Sequence, residues 1–151
     1  MPEFTQTSTV DAPVERVWER IITPEGVNAE FRPLFRMTFP KEIERLTPDS
    51  VPLGERLCRS WILLFGVLPI DYDDVTLVRV DPPHGFLERS PMLSMRAWEH
   101  ERTLEPAEDG RTRVTDRIRF EPRISFMGAL ARPIYRAVFR RRHRLLGRSF
   151  A

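Results

Sequence analysis

The chain's 151 residues, 41% hydrophobic and 30% charged, have the make-up of an ordinary globular domain with enough sequence to enclose a sizeable core. Its 24 basic and 22 acidic residues leave a net charge of only +2, which excludes a strong overall field steering it toward nucleic acid or anionic lipid. The single cysteine, Cys58, excludes an internal disulfide; the start Met1-Pro2-Glu3-Phe4 lacks the character of a signal peptide, and no apolar run approaches the roughly 20 residues of a membrane span, so one soluble cytoplasmic domain over residues 1–151 is expected.

Phe4 to Val10, rich in threonine, predicts a first strand on its β-branched content. Asp11-Ala12-Pro13 opens a helix, with proline where a missing N–H costs nothing. Val14, Val17, Trp18, Ile21 and Ile22 follow at helical spacing. Thr23-Pro24-Glu25 caps a second, short helix that ends before Pro33. Short and long strands are expected over Leu34–Phe39 and Glu55–Leu64, and the second carries apolar residues on both faces, so its inner face stays open. Ile70–Val80 and Phe86–Arg89 are further strands, separated by the turn Asp81-Pro82-Pro83-His84-Gly85. Phe126–Phe150 reads as a long helix with Met127, Leu130, Ile134, Val138, Leu145 and Leu146 on one apolar stripe, and with a break or late start at Pro133.

Residues 94–122 form the most informative stretch, a β-hairpin with chemically distinct faces. Trp98, His100, Arg102 and Leu104 alternate with Glu99, Glu101 and Thr103, while Val114, Asp116, Ile118 and Phe120 alternate with Arg113, Thr115, Arg117 and Arg119. The inner face is apolar apart from His100, Arg102 and Asp116, and a buried carboxylate needs a donor or a cation opposite it. The turn Glu105–Arg111 permits two registers: Asp116 opposite His100, or Asp116 opposite Arg102 with Glu99/Arg119 and Glu101/Arg117 paired outside. The second matches the charges better, and both stay open.

The element order (strand, two helices, about six strands, long helix) resembles the START-like helix-grip superfamily, also called SRPBCC. Birch-pollen-allergen proteins and polyketide cyclases belong to that superfamily. The opening Val10-Asp11-Ala12-Pro13-x-x-x-Val17-Trp18 is similar to the family's first strand and helix. Gly66-x-Leu68-Pro69, Pro82-Pro83-x-x-Phe86, Trp98-x-His100, Thr112-x-Val114-x-Asp116 and Phe139-x-x-Arg142-His143 resemble a bacterial ligand-binding branch. Where that branch often has a second histidine two residues after the first, this chain has Arg102. The resemblance implies an α+β fold in which a curved antiparallel sheet wraps a C-terminal helix, with a hydrophobic cavity between them. It does not fix a reaction, because carriers, sensors and enzymes share the fold.

The expected function is therefore binding of a small hydrophobic or amphipathic molecule between sheet and helix. Trp98, His100, Arg102, Asp116, Ile118 and Phe120 are the candidate ligand contacts from the hairpin, with Ile134 and Val138 from the helix. Arg102 is expected either to anchor an acidic head group or to pair internally with Asp116. Two alternatives stand beside this reading. One is a polyketide aromatase/cyclase or dehydratase using His100 and Asp116 as acid/base; the other is an interaction module with a filled core. His84, His100 and His143 have no metal-ligand spacing and no glycine-rich loop is present, so neither metal nor cofactor is expected. Arg140 to Arg144 reads as a solvated helix end rather than a nucleic-acid contact. A homodimer is compatible with all of these readings.

Overall fold

The computed structural model describes residues 1–151. Its elements are β1 (Glu3–Val10), α1 (Val14–Ile21), α2 (Pro24–Ala29), β2 (Phe35–Met37), β3 (Arg56–Leu64), β4 (Leu68–Asp81), β5 (Gly85–Ser90), β6 (Met95–Pro106), β7 (Thr112–Pro122) and α3 (Gly128–Arg148). All seven strands join one antiparallel sheet in the order β1-β7-β6-β5-β4-β3-β2, which curls around α3. This is the expected helix-grip architecture. No helix is long and apolar enough to cross a membrane.

Local chemistry accounts for the early elements. The inward residues of α1 (Val14, Val17, Trp18, Ile21) are all buried. Thr23 caps α2 by accepting a hydrogen bond from the Gly26 N–H at 2.9 Å. Gly26 itself is required by close approach, since a Cβ there would stand 1.6 Å from the Arg20 carbonyl oxygen. α2 is thereby held tightly against α1, and its last turn delivers Glu30 to the interior.

In the hairpin, Arg102 pairs with Asp116, Glu99 with Arg119 and Glu101 with Arg117, the register that the outer charges favour. The turn reaches it through Asp109 and Gly110, which adopt φ values of 59° and 71°. The outer ion pairs run across several strands: Arg117 bonds Glu3 at 2.8 Å, and Arg79 bonds Glu101 at 2.7 Å. On β3, Ser60 and Ile62 face inward and Trp61 faces out, stacked edge-on against Tyr72 at 5.3 Å. A bulge between Arg56 and Cys58 lets both Leu57 and Cys58 touch the core, which is why both faces of this strand look apolar in sequence.

The last helix corrects the expected stripe. It runs unbroken through Pro133, and its buried residues are Gly128, Ala131, Phe139, Arg142, His143 and Leu146. Leu130 and Ile134 are 56% and 61% exposed. Of the expected stripe Leu146 is buried and Val138 and Leu145 are half-buried, but the rest of the buried face is small, aromatic and charged, which tracking aliphatic residues alone does not find. The expectation of a solvated basic run is likewise corrected, because Arg142 and His143 are buried while Arg140 and Arg144 remain outside.

The core is layered. One apolar cluster contains Val10, Leu104, Val114 and Leu146; a second contains Phe4, Trp98, Ile118, Phe120 and Phe139. On β1, β6, β7 and α3 alike, the residues between these clusters are polar: Gln6 and Ser8, His100 and Arg102, Asp116, and Arg142 with His143. A polar stratum thus crosses the interior at one level.

Candidate functional site

Asp116 is the centre of that stratum and is fully buried. Its Oδ1 accepts hydrogen bonds from His100 Nε2 and Arg102 Nε, both at 2.7 Å. Its Oδ2 accepts from a terminal nitrogen of Arg102 at 2.7 Å and from His143 Nε2 at 2.8 Å. Burial pushes this carboxyl up, but the Arg102 and His100 contacts outweigh burial and hold it well below the usual carboxylate range. A carboxylate with no proton can only accept, so both imidazoles present Nε2–H to it. With Nε2–H committed to Asp116, His143 Nδ1 accepts a hydrogen bond from the Ser8 hydroxyl at 2.5 Å.

Arg102 continues the network to Glu30 through two hydrogen bonds of 2.8 and 2.9 Å. Glu30 also accepts from Arg142 Nε at 3.1 Å. Burial opposes ionisation of Glu30, and the charges of Arg102 and Arg142 override it and leave its acidity increased. Two carboxylates and two guanidinium groups thus balance inside the protein, each charge carrying directed hydrogen bonds.

A cavity of about 250 Å³ adjoins this network, between the concave sheet face, α3 and the α1–α2–β2 segment. Nineteen of its 24 lining residues are hydrophobic. Val27, Phe31 and Phe35 close one side, and Ile70 and Ile134, 46% and 61% exposed, form its rim. The polar groups that reach it are Asp71, Asp73, Glu88, His100, Tyr135 and Arg142. Arg142 lies over the Phe31 and Phe139 rings at 4.5 and 4.8 Å, so its charge is sandwiched as well as paired. Burial, with the Asp71 charge, pushes the Tyr135 phenol up to about 12.

The sequence profile of a family described as a domain of unknown function, DUF8410, matches residues 8–150. The chain belongs to that family. No curated protein matches it in sequence. Among solved structures, this DUF8410 protein is similar to protein CV1439 from Chromobacterium violaceum (13% identity, 98% of this chain and 96% of that one, TM-score 0.75). It is also similar to a START superfamily protein from Mycobacterium smegmatis (8% identity, 98% and 96% covered, TM-score 0.70). A third likeness is to DynU16, a protein in the dynemicin biosynthetic locus (19% identity, TM-score 0.59). The match spans 95% of this chain and 46% of DynU16. These likenesses establish the START-like helix-grip fold.

Within that fold the eight candidate contacts divide evenly. Trp98, His100, Ile134 and Val138 line the cavity. Arg102, Asp116, Ile118 and Phe120 do not; they lie behind the wall and are at most 2% exposed. Arg102 is the expected internal partner of Asp116, and all three of its guanidinium nitrogens are engaged, which leaves no free fork for an acidic head group. Sequence reading missed Glu30, Arg142 and His143 in the network, and Asp71, Asp73 and Glu88 in the cavity. The period-two run Asp71, Asp73, Val75, Leu77 carried a signal for two of them, and the placement of Arg142 and His143 between Phe139 and Leu146 carried one for the helix. Glu30, next to a six-residue helix, had no local signature.

Proposed function

We propose that residues 1–151 act as one ligand-binding domain that holds a small hydrophobic or amphipathic molecule between sheet and C-terminal helix. The observation that carries this reading is the predominantly apolar cavity with a few convergent polar groups and a rim at the surface. Such a space is costly to leave unfilled in a protein that has to pack its core, and its volume favours a binding role over a filled-core interaction module. A cytoplasmic carrier or sensor fits the single, half-buried Cys58, whose thiol is pushed up to about 11 by burial and the Asp73 charge.

Trp98 supplies the test. In a Trp18→Phe/Trp61→Phe variant it is the sole indole, and titration with a neutral naphthalene probe should change its emission saturably at one probe per protein. An emission that ignores the probe, together with bare protein in native mass spectrometry, would remove the reading.

One observation favours a catalytic second reading. His100 lines the cavity, its Nε2–H is held by Asp116, and its Nδ1 has no protein partner, so a lone pair is available at the wall. That is the arrangement of an oriented general base, with Asp116 fixing the tautomer rather than exchanging protons. A cyclase or dehydratase of this type keeps probe affinity and loses turnover in His100→Gln, whereas a carrier has no turnover to lose.

A further inference from the structure

The charges left unpaired in the cavity wall are acidic. Asp73 on β4 and Glu88 on β5 are 4% and 8% exposed, and both line the cavity. No arginine or histidine forms an ion pair with either, in contrast to Asp116 and Glu30. Ser90 Oγ donates to Glu88 Oε2 at 2.7 Å, but Asp73 Oδ1 is fully buried without any partner. Ser60, directly opposite Asp73 in the β3–β4 register and therefore on the same concave face, also has a buried Oγ without a partner. The neighbouring Asp71 differs, since Ser94 and the Tyr72 N–H satisfy it.

Resting on the cavity's reading as a ligand site, we propose that the Asp73–Glu88 pair recognises a protonated amine borne by an otherwise apolar ligand. A carboxyl group in a desolvated wall beside a second acid resists ionisation. Burial and the Glu88 charge accordingly push the Asp73 carboxyl well above its ordinary range. An ammonium group supplies what the site lacks: a donor for Asp73 Oδ1 and a positive charge for the pair. The desolvation of the carboxyl groups is already incurred in the fold, so the amine adds charge pairing without exposing a new cost on the protein side. A hydrated divalent metal ion is a poor occupant, because the wall offers two carboxyl groups among hydrophobic residues and no third free ligand. The aromatic side chains Phe86, Trp98 and Tyr135 in the same wall suit an organic cation with an apolar body.

The groups facing this pair are Asp71 on its own strand, Cys58 on β3, His100 opposite Glu88 on β6, and Tyr135 and Arg142 from α3. Bound ammonium lowers the proton affinity of Asp73, so association releases protons to the buffer.

The test is calorimetric titration of the whole protein, in two buffers of different ionisation enthalpy, with 2-naphthylmethylamine and with 2-naphthylmethanol. The amine should bind about tenfold or more tightly than the alcohol and release protons, while the alcohol releases none. In Asp73→Asn/Glu88→Gln the amine preference should vanish and alcohol affinity persist. Alcohol binding the wild-type protein as tightly as the amine overturns the cation site and leaves the cavity reading standing. Failure of both probes to bind overturns the two together. The wild-type comparison decides the matter even where the variant does not fold.

Discussion

Asp116 Oδ2 and His143 Nε2 stand 2.8 Å apart although 27 residues separate them, and their bond ties the last strand to the last helix at the middle of the core. The same carboxylate holds His100 and Arg102 on the neighbouring strand, and Arg102 holds Glu30. Helix, sheet and the α1–α2 segment therefore meet through one chain of charged hydrogen bonds.

Removing the charge at its centre should be severe. Asp116→Asn leaves Arg102 and Arg142 against Glu30 alone, an uncompensated buried cation, and is expected to cost about 3–5 kcal/mol. Urea denaturation monitored by far-ultraviolet circular dichroism measures it. A loss under about 1 kcal/mol would show that water reaches the network and screens it.

Arg142→Lys is expected to be milder, at about 1–2 kcal/mol. Lysine keeps the charge but loses the planar contact with Phe31 and Phe139 and the Nε bond to Glu30. Thermal unfolding of this variant beside Arg140→Lys, which lies on the exposed face, separates the buried role from a general effect of the substitution.

Stability should respond to pH with two opposite signs. Glu30 and Asp116 are more acidic in the folded protein, so their contribution is complete above the ordinary carboxylate range and is lost as pH falls through their depressed values. Asp73 is less acidic when folded, so the native state holds a proton that the unfolded chain gives up, and stability declines with rising pH until the folded value is passed. Asp73→Asn removes that decline. As pH rises above the ordinary carboxylate range the variant should therefore gain steadily on wild type, and parallel denaturation profiles above that range would refute the assignment.

The cavity gives a packing test. Val138 is half-buried and lines it, so Val138→Phe should occupy the space, abolish naphthalene-probe binding and leave the melting temperature equal or higher. A variant that still binds the probe with wild-type affinity places the binding site elsewhere.

Much of this architecture was legible in the sequence where one strand face is wholly buried. The alternation around His100, Arg102 and Asp116 exposed the hairpin, and charge matching of Glu99/Arg119 and Glu101/Arg117 favoured the observed register. α3 was harder, because its inward face is built of Ala131, Tyr135, Phe139, Arg142 and His143, and hydrophobicity alone does not rank an arginine as interior. The second histidine of the site was also hidden. It arrives from α3, at a sequence distance that no strand pattern encodes, while Arg102 fills the strand position. Pocket membership failed for a different reason: Trp98 and Phe120 share a face and a register level, yet only depth decides which of them meets the cavity.

The polar stratum has a consequence for how such a protein can diversify. Sliding α3 by one turn would carry Arg142 away from Glu30 and His143 away from Asp116 and strand one charge and one imidazole against hydrocarbon, so the docking position of the helix is dictated by electrostatics rather than by the fit of aliphatic side chains. Ile62, Val27, Phe35 and Val138, which shape the chamber, are thereby relieved of specifying the architecture. Their sizes are free to change, so the shape of the chamber can vary while the scaffold stays in place.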